Sequence, residues 1–398
     1  MKKILLFILT SIVFTIICLS VQNTYSIYVK TVNQNITLTT TKLEATFLPG
    51  SDFNAKIKQL AGNDNATYET VDTNITGIVR SNVLNIIPTT NNIVSTNDSP
   101  FPIYAWFSNG IIYYYTEVEH PYLNSNSSFL LFSLRNNTNI SGLSTIDTSR
   151  VVSMASMFNE NTNLADISPL SSWNTGNVTS MATMFGISSA VYQTSGLGKI
   201  VNVSSISSWD TSSVNDMRQM FKNQSIVNFE NFTWNTSSLT NVTLMFENDQ
   251  YMEKLDLSSF DMDKVRYTRD MFAGLNNLKE FKTPKVYPSD TSVTITLPKT
   301  MYDSNLVGYT SLGKNTTPVS PTQTWLKVGY TVTFDADLGT VSPSTKLVRH
   351  NEQYGALPTA SKPGYTFVGW DSKNMVGPIN STNYKVVRGV NQNLASHF

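Results

Sequence analysis

Between Ile146 and Phe272, large apolar residues return at fixed stations in a thirteen-residue phrase. Its five copies read IDTSRVVSMASMF, WNTGNVTSMATMF, WDTSSVNDMRQMF, WNTSSLTNVTLMF and FDMDKVRYTRDMF. They open on Ile146, Trp173, Trp209, Trp234 and Phe260, and close on Phe158, Phe185, Phe221, Phe246 and Phe272. The closing rings lie 27, 36, 25 and 26 residues apart. A period in that range marks a repeat array in which no unit can bury its own apolar side and neighbours must stack. Counting from the opening residue, apolar positions fall at +5, mostly at +8, and at +11 and +12. Steps of three and four predict a short helix with one buried stripe. Asp or Asn at +1, followed mostly by Thr and Ser, reads as a helix start. The apolar beats Ile226-x-x-Phe229 and Leu255-Asp256-Leu257 predict a short strand per unit. The expected fold is therefore α+β, a leucine-rich-repeat-like solenoid of short strands and short helices. Trp173, Phe185, Trp209, Phe221, Trp234, Phe246, Phe260 and Phe272 are its structural stations.

The phrase WDTSSVNDMRQMF, with LDLSSF further on, resembles the BspA-like leucine-rich repeats of bacterial surface proteins, in their Met-Phe variant. Departures are Thr268, where a Met is usual, and the insertion Gly186–Ser205, which is expected to protrude as a loop. Past the last copy, Leu275, Leu278 and Phe281 continue the beat, and TITLPKTMYD resembles the terminal turn of such an array.

Residues 27–145 alternate in β-like runs, and Asn109-Gly110 between Ala105-Trp106-Phe107 and Ile111-Ile-Tyr-Tyr-Tyr predicts a hairpin. The segment resembles the region preceding the repeats in the same family, which implies a cap on the first open end. Trp106, Tyr113 and Tyr115 can stack sugars, but a cap needs buried area, so packing is favoured. Ser311–Thr324, dense in Ser, Thr, Pro and Asn, reads as part of a linker over 311–329. Residues 330–398, with GYTFVGW at Gly364–Trp370, resemble the internalin-type B repeat of the Listeria–Bacteroides repeat family. That resemblance implies spacing or partner contact. A single Gly339 after Leu338, and Phe398 in place of a final Trp, depart from the pattern.

Lys2-Lys3, an apolar run Ile4–Leu19 and Thr24-x-Ser26 predict an export leader over 1–26, with a retained anchor as the alternative. Ile17 before Cys18 argues against lipid attachment, and the only cysteine lies inside the leader, so no disulfide supports the mature chain. The array itself is expected over 146–310. Leu357-Pro358-Thr359-Ala360 lacks the features of a sortase signal, so no covalent wall anchor is expected.

Net charge is +0 with 14% charged residues, which offers nothing for nucleic acid or anionic lipid. His120, His350 and His397 have no ligand-spaced neighbours, and no phosphate loop or nucleophile elbow is present. No cofactor and no metal are expected. Asp147, Asp210 and Asp261 recur once per unit, so capping explains them better than calcium or glycosidase chemistry. The Asn-x-Ser/Thr triplets follow from an Asn-, Ser- and Thr-rich composition. The resulting expectation is a non-catalytic, exported or cell-surface bacterial protein, a monomer. It would bind a host or envelope protein or glycan through exposed polar and aromatic side chains, the insertion included. An envelope spacer and a glycosidase are the alternatives.

Overall fold

The computed structural model describes residues 25–32, 35–372 and 392–397. The apolar run Ile4–Leu19, Cys18 and Phe398 lie outside the described residues. Among the described residues there are two α-helices, Gly50–Leu60 and Ser189–Ser195, and neither falls within the thirteen-residue phrase. The expected α+β leucine-rich-repeat-like solenoid is therefore not the fold; the protein is rich in sheet.

The reason lies at position +10. Ser156, Thr183, Gln219, Leu244 and Asp270 all have positive φ, between 54° and 57°. A left-handed residue cannot continue a right-handed helix, and each costs roughly 1–2 kcal/mol for an L side chain. Instead the residue at +11 donates its N–H to the carbonyl at +8, as Met157 does to Met154 and Met220 to Met217. The residue at +13 donates to +10 in the same way, as Asn159 does to Ser156 and Lys222 to Gln219. These are two consecutive β-turns, the first with a positive-φ third residue. Turns in succession also bury positions three and four apart, so the apolar stations survive while the helix does not. Val151, Val178, Val214, Leu239 and Val265 at +5 are all fully buried.

The chain falls into two compact units, 1–177 and 178–398. In the first, strands Tyr25–Val32 and Asn35–Lys42 form an antiparallel pair. Strand Ile111–Tyr115 lies between Gly77–Arg80, parallel to it, and Tyr104–Ser108, antiparallel. Asn109 (φ 49°) and Gly110 (φ 83°) make the turn that joins the antiparallel pair, both residues left-handed as a two-residue hairpin requires. Trp106 is buried and stacks on its cross-strand partner Tyr113, ring centroids 5.7 Å apart.

The same unit holds a rung without Met-Phe. Phe129 (φ 65°) and Ser133 (φ 60°) repeat the left-handed pair seen at Ser156 and Glu160, with Leu130-Leu131 where the phrase has Met-Phe. The N–H groups of Ser127, Phe129, Leu131 and Ser133 are donated to the carbonyls of Ser153, Ala155, Met157 and Asn159. Alternate N–H groups of one rung thus bond to the next, and the carbonyls on the other side of the first rung need donors from elsewhere. Helix Gly50–Leu60 supplies them. Gly50 N–H bonds to the Asn126 carbonyl, and a Cβ on Gly50 would meet the Ser128 carbonyl at 2.2 Å, so only glycine fits this approach. Four and eight residues on, Asn54 Nδ2 donates to the carbonyls of Leu130 and Phe132, at 3.3 and 3.1 Å. Lys58 Nζ donates to those of Phe132, Tyr68 and Thr70, at 3.0, 2.8 and 2.6 Å. Both side chains are fully buried, and burial pushes the Lys58 ammonium down to about 8, opposed by the Asp72 carboxylate.

In the second unit the ladder repeats. Met181, Thr183, Phe185 and Ile187 donate to Asp216, Arg218, Met220 and Lys222; Met217, Gln219, Phe221 and Asn223 donate to Asn241, Thr243, Met245 and Glu247. The next set runs from Val242, Leu244, Phe246 and Asn248 to Tyr267, Arg269, Met271 and Ala273. Inside, the closing rings form a column: Phe185 on Phe221 at 5.9 Å, Phe221 on Phe246 at 5.7 Å and Phe246 on Phe272 at 6.4 Å. Threonine at +2 forms a second column, since the Thr211 and Thr236 hydroxyls donate to the carbonyls of Asn235 and Asp261, both at 2.9 Å.

Short parallel strands Asn228–Phe229, Lys254–Asp256 and Glu280–Lys282 lie on the other side of the rings. The edge of the last is closed by strand Trp325–Asp335, which pairs Trp325–Lys327 antiparallel to it. That strand runs unbroken from the segment read as linker into the C-terminal module, where it pairs with Thr345–Arg349 and Gln392–His397. Val332, Phe334, Val348, Tyr354, Trp370 and Leu394 form the core of this module. The insertion Gly186–Ser205 is not only loop: Ser188 caps helix Ser189–Ser195 by accepting from the Val191 N–H at 3.3 Å, and Gly196 (φ 77°) ends it.

Two outcomes are expected. Lys58→Met takes the ammonium donor from the carbonyls of Tyr68 and Thr70, while that of Phe132 keeps Asn54, and should cost about 2 kcal/mol or more in chemical denaturation, at about 1–3 kcal/mol per stranded group. Phe221→Ala empties the middle of the ring column and should cost about 3–5 kcal/mol; a loss under about 1 kcal/mol would refute the column.

Candidate binding surface

The eight apolar stations named from the sequence do not face a ligand. Trp173, Phe185, Trp209, Phe221, Trp234, Phe246, Phe260 and Phe272 are all buried, none more than 5% exposed. The indole of Trp173 donates to the Leu143 carbonyl at 3.1 Å and that of Trp234 to Ile206 at 2.9 Å, so each Trp satisfies its one polar atom within its unit. These residues fix where the outer positions stand.

The recurrent acids are likewise occupied. Asp147, Asp210 and Asp261 accept the N–H two residues on, from Ser149, Ser212 and Asp263 at 2.9, 2.9 and 3.0 Å. Asn174 and Asn235 do the same at 3.2 and 3.1 Å. They nucleate turns rather than cap helices. The Ser212 hydroxyl and N–H hold the Asp210 carboxyl below the usual range. Asp249 is the carboxylate pushed the other way. Complete burial raises it well above the ordinary value, opposed by the Gln224 N–H that its Oδ1 accepts at 2.8 Å. Its Oδ2 makes no hydrogen bond. A raised carboxyl invites an acid-catalyst reading, but Asp249 is 0% exposed and no substrate can reach it. Among the described residues no three His, Cys, Asp or Glu side chains converge to hold a metal.

Two outer surfaces remain. On the parallel strands, Phe229, Leu255, Phe281 and Leu326 face inward, and the intervening side chains carry charge outward. Those charges are largely paired: Lys254 with Glu230 at 2.7 Å, Lys282 with Asp256 at 3.5 Å, and Lys327 with Glu280 at 3.4 Å. The hydrogen bond with Glu230 raises the Lys254 pKa. Lys254 and Lys282 also stand over the half-buried Trp325 ring, at 5.0 and 5.6 Å, so this aromatic is already engaged by cations. A pocket of about 340 Å³ opens beside this face, lined by Val201, Asn202, Asn228, Glu230 and Phe232.

The second surface is the turn edge of the last three repeats. A shallow groove of about 810 Å³ is lined there by Arg218, Asn241, Thr243, Arg266, Tyr267 and Arg269, with Ser292–Thr294 beyond. Asp216, Asn241 and Tyr267 sit at +7 and are bridged in parallel to one another. Arg218, Thr243 and Arg269 sit at +9, one per repeat. Arg218 pairs with Asp216 at 3.2 Å, Arg269 lies 3.9 Å from Asp270, and Arg266 donates to the carbonyls of Asp263 and Val265. Tyr267 is 62% exposed. Exposed polar and aromatic binders are expected from the sequence, but Arg218, Arg266, Tyr267 and Arg269 are not singled out by it. Their signal was the phrase itself: +6, +7 and +9 vary between copies while the apolar stations repeat.

Residues 128–195 and 188–294 match the family described as Mycoplasma protein of unknown function, DUF285. Residues 330–391 match the Listeria–Bacteroides repeat domain. Both matches fit a surface repeat protein, and the first begins at the rung that lacks Met-Phe. No curated protein matches the chain.

Asp249 carries a prediction with a definite sign. Its folded pKa lies above the unfolded value, so the folded state holds a proton the unfolded chain has lost. Its contribution to stability is therefore full below the ordinary carboxylate range and is lost as pH rises through the raised pKa. The slope is at most about 1.4 kcal/mol per pH unit. Asp249→Asn keeps the acceptor for Gln224 N–H, and denaturation between pH 4 and 8 should show that slope gone and the variant more stable at neutral pH. An unchanged profile would place the pH dependence elsewhere.

Proposed function

We propose that this chain is a non-catalytic binding protein of the bacterial cell surface or its surroundings, adhesin-like, which engages a macromolecular ligand on its repeat edge. The observation that carries the reading is the groove at Arg218, Arg266, Tyr267 and Arg269. In an array whose apolar stations are spent on packing, these side chains are outward, large and hydrogen-bond-capable, and the rungs hold them in fixed register. Rigid elements position binding groups better than free loops do. The two family matches support the surface setting. Export by the N-terminal leader is part of this reading and rests on the sequence pattern Lys2-Lys3 then Ile4–Leu19.

The test has two arms. Producing cells are fractionated into cytoplasm, membrane, wall and medium, and the full chain is expected outside the cytoplasm. The purified chain is then titrated over immobilised mucin, collagen and a glycan panel. Saturable binding to at least one, weakened at least tenfold by Arg218→Glu with Arg269→Glu, is expected. Absence of saturable binding to the whole panel favours a spacer and ends the proposal.

A further inference from the structure

The groove is specific enough in chemistry to name a ligand class. Guanidinium groups hold carboxylates and sulfates through paired N–H donors. Arg218 and Arg269 occupy the same station two repeats apart, with Thr243 between them. Adjacent strands in a ladder are about 4.7–4.9 Å apart, so the two cationic stations are about 10 Å apart along the array. Between and beside them stand hydroxyl and amide groups, Thr243, Asn241 and Ser292, which suit sugar hydroxyls. Tyr267 offers an exposed ring for the apolar face of a sugar. The groove is open and shallow, which suits a polymer lying across it more than a small molecule enclosed in it.

We propose that this groove takes an acidic polysaccharide, laid across successive repeats with its anionic groups on Arg218 and Arg269 and a sugar ring against Tyr267. The inference rests on the binding reading above and deepens it. With a net charge of +0 the chain has no long-range attraction for polyanions in general. Recognition is therefore local, and a neutral polysaccharide lacks the groups that the arginines hold. Carboxylate and sulfate share this chemistry, and the experiment separates them.

The full chain is titrated with hyaluronan (carboxylate), dextran sulfate (sulfate), unmodified dextran and single-stranded polyuridylate, at low and at physiological salt. Saturable binding to hyaluronan or dextran sulfate is expected, weakening with salt, with dextran silent. Arg218→Gln with Arg269→Gln should lower affinity at least tenfold, and Tyr267→Ala at least fivefold. These side chains are exposed, so the variants keep the fold, which a thermal melt checks. Unchanged affinity in both variants, equal binding of dextran, or stronger binding of polyuridylate through the same residues would each overturn the proposal. Silence toward both acidic glycans alongside saturable mucin or collagen binding ends this inference and leaves the binding reading standing. Silence toward everything ends both.

Discussion

The left-handed residue two positions before each closing phenylalanine governs what the repeats can do. It converts what would be one helical turn into two β-turns, and so releases alternate N–H groups from their own segment. Those N–H groups must be bonded elsewhere, because a buried amide without a partner costs about as much as a lost hydrogen bond. The next repeat supplies the carbonyls. A strained φ at Thr183, Gln219 or Leu244 is offset by four inter-repeat bonds and by rings stacked about 6 Å apart.

From this arrangement the ends follow. A rung whose carbonyls face no neighbour would strand them, so the first unit covers its opening rung with a helix that carries two buried polar side chains, Asn54 and Lys58, one turn apart. In the second unit the short parallel strands face the same difficulty, and strand Trp325–Asp335 closes the last of them before continuing into the C-terminal module. Capping is thus done by side-chain donors at one place and by backbone pairing at another. Both meet the same demand, that an open edge be paired or covered.

The apolar stations were legible because burial needs only periodicity: every Val or Leu at +5 and every Phe at +12 is buried. The local conformation was not, since a helix and two successive turns both bury positions three and four apart. Ser, Thr, Gln, Leu and Asp at +10 give no glycine-like warning of a positive φ. The rung at 127–133 stayed hidden because Leu130-Leu131 replaces Met-Phe, although the spacing of its left-handed residues matches. Asn54 and Lys58 read as ordinary polar positions of a helix, and only the fold reveals which carbonyls they serve. The arginine groove was beyond reach for a different reason: Arg218 and Arg269 are distant in the chain and become neighbours only through the register of the ladder.

That ladder has a direction. In the rungs at 181–187, 217–223 and 242–248 alternate amides give and the carbonyls of the following rung receive, so each presents the same complementary pair of edges. Gain or loss of one whole period in the second unit would join a giving edge to a receiving edge again and leave the closing strand Trp325–Asp335 untouched. Gain or loss of a fraction of a period would not. The number of rungs in that unit can therefore change by integers without redesign of the strand that closes it, and each added period brings its own set of variable side chains.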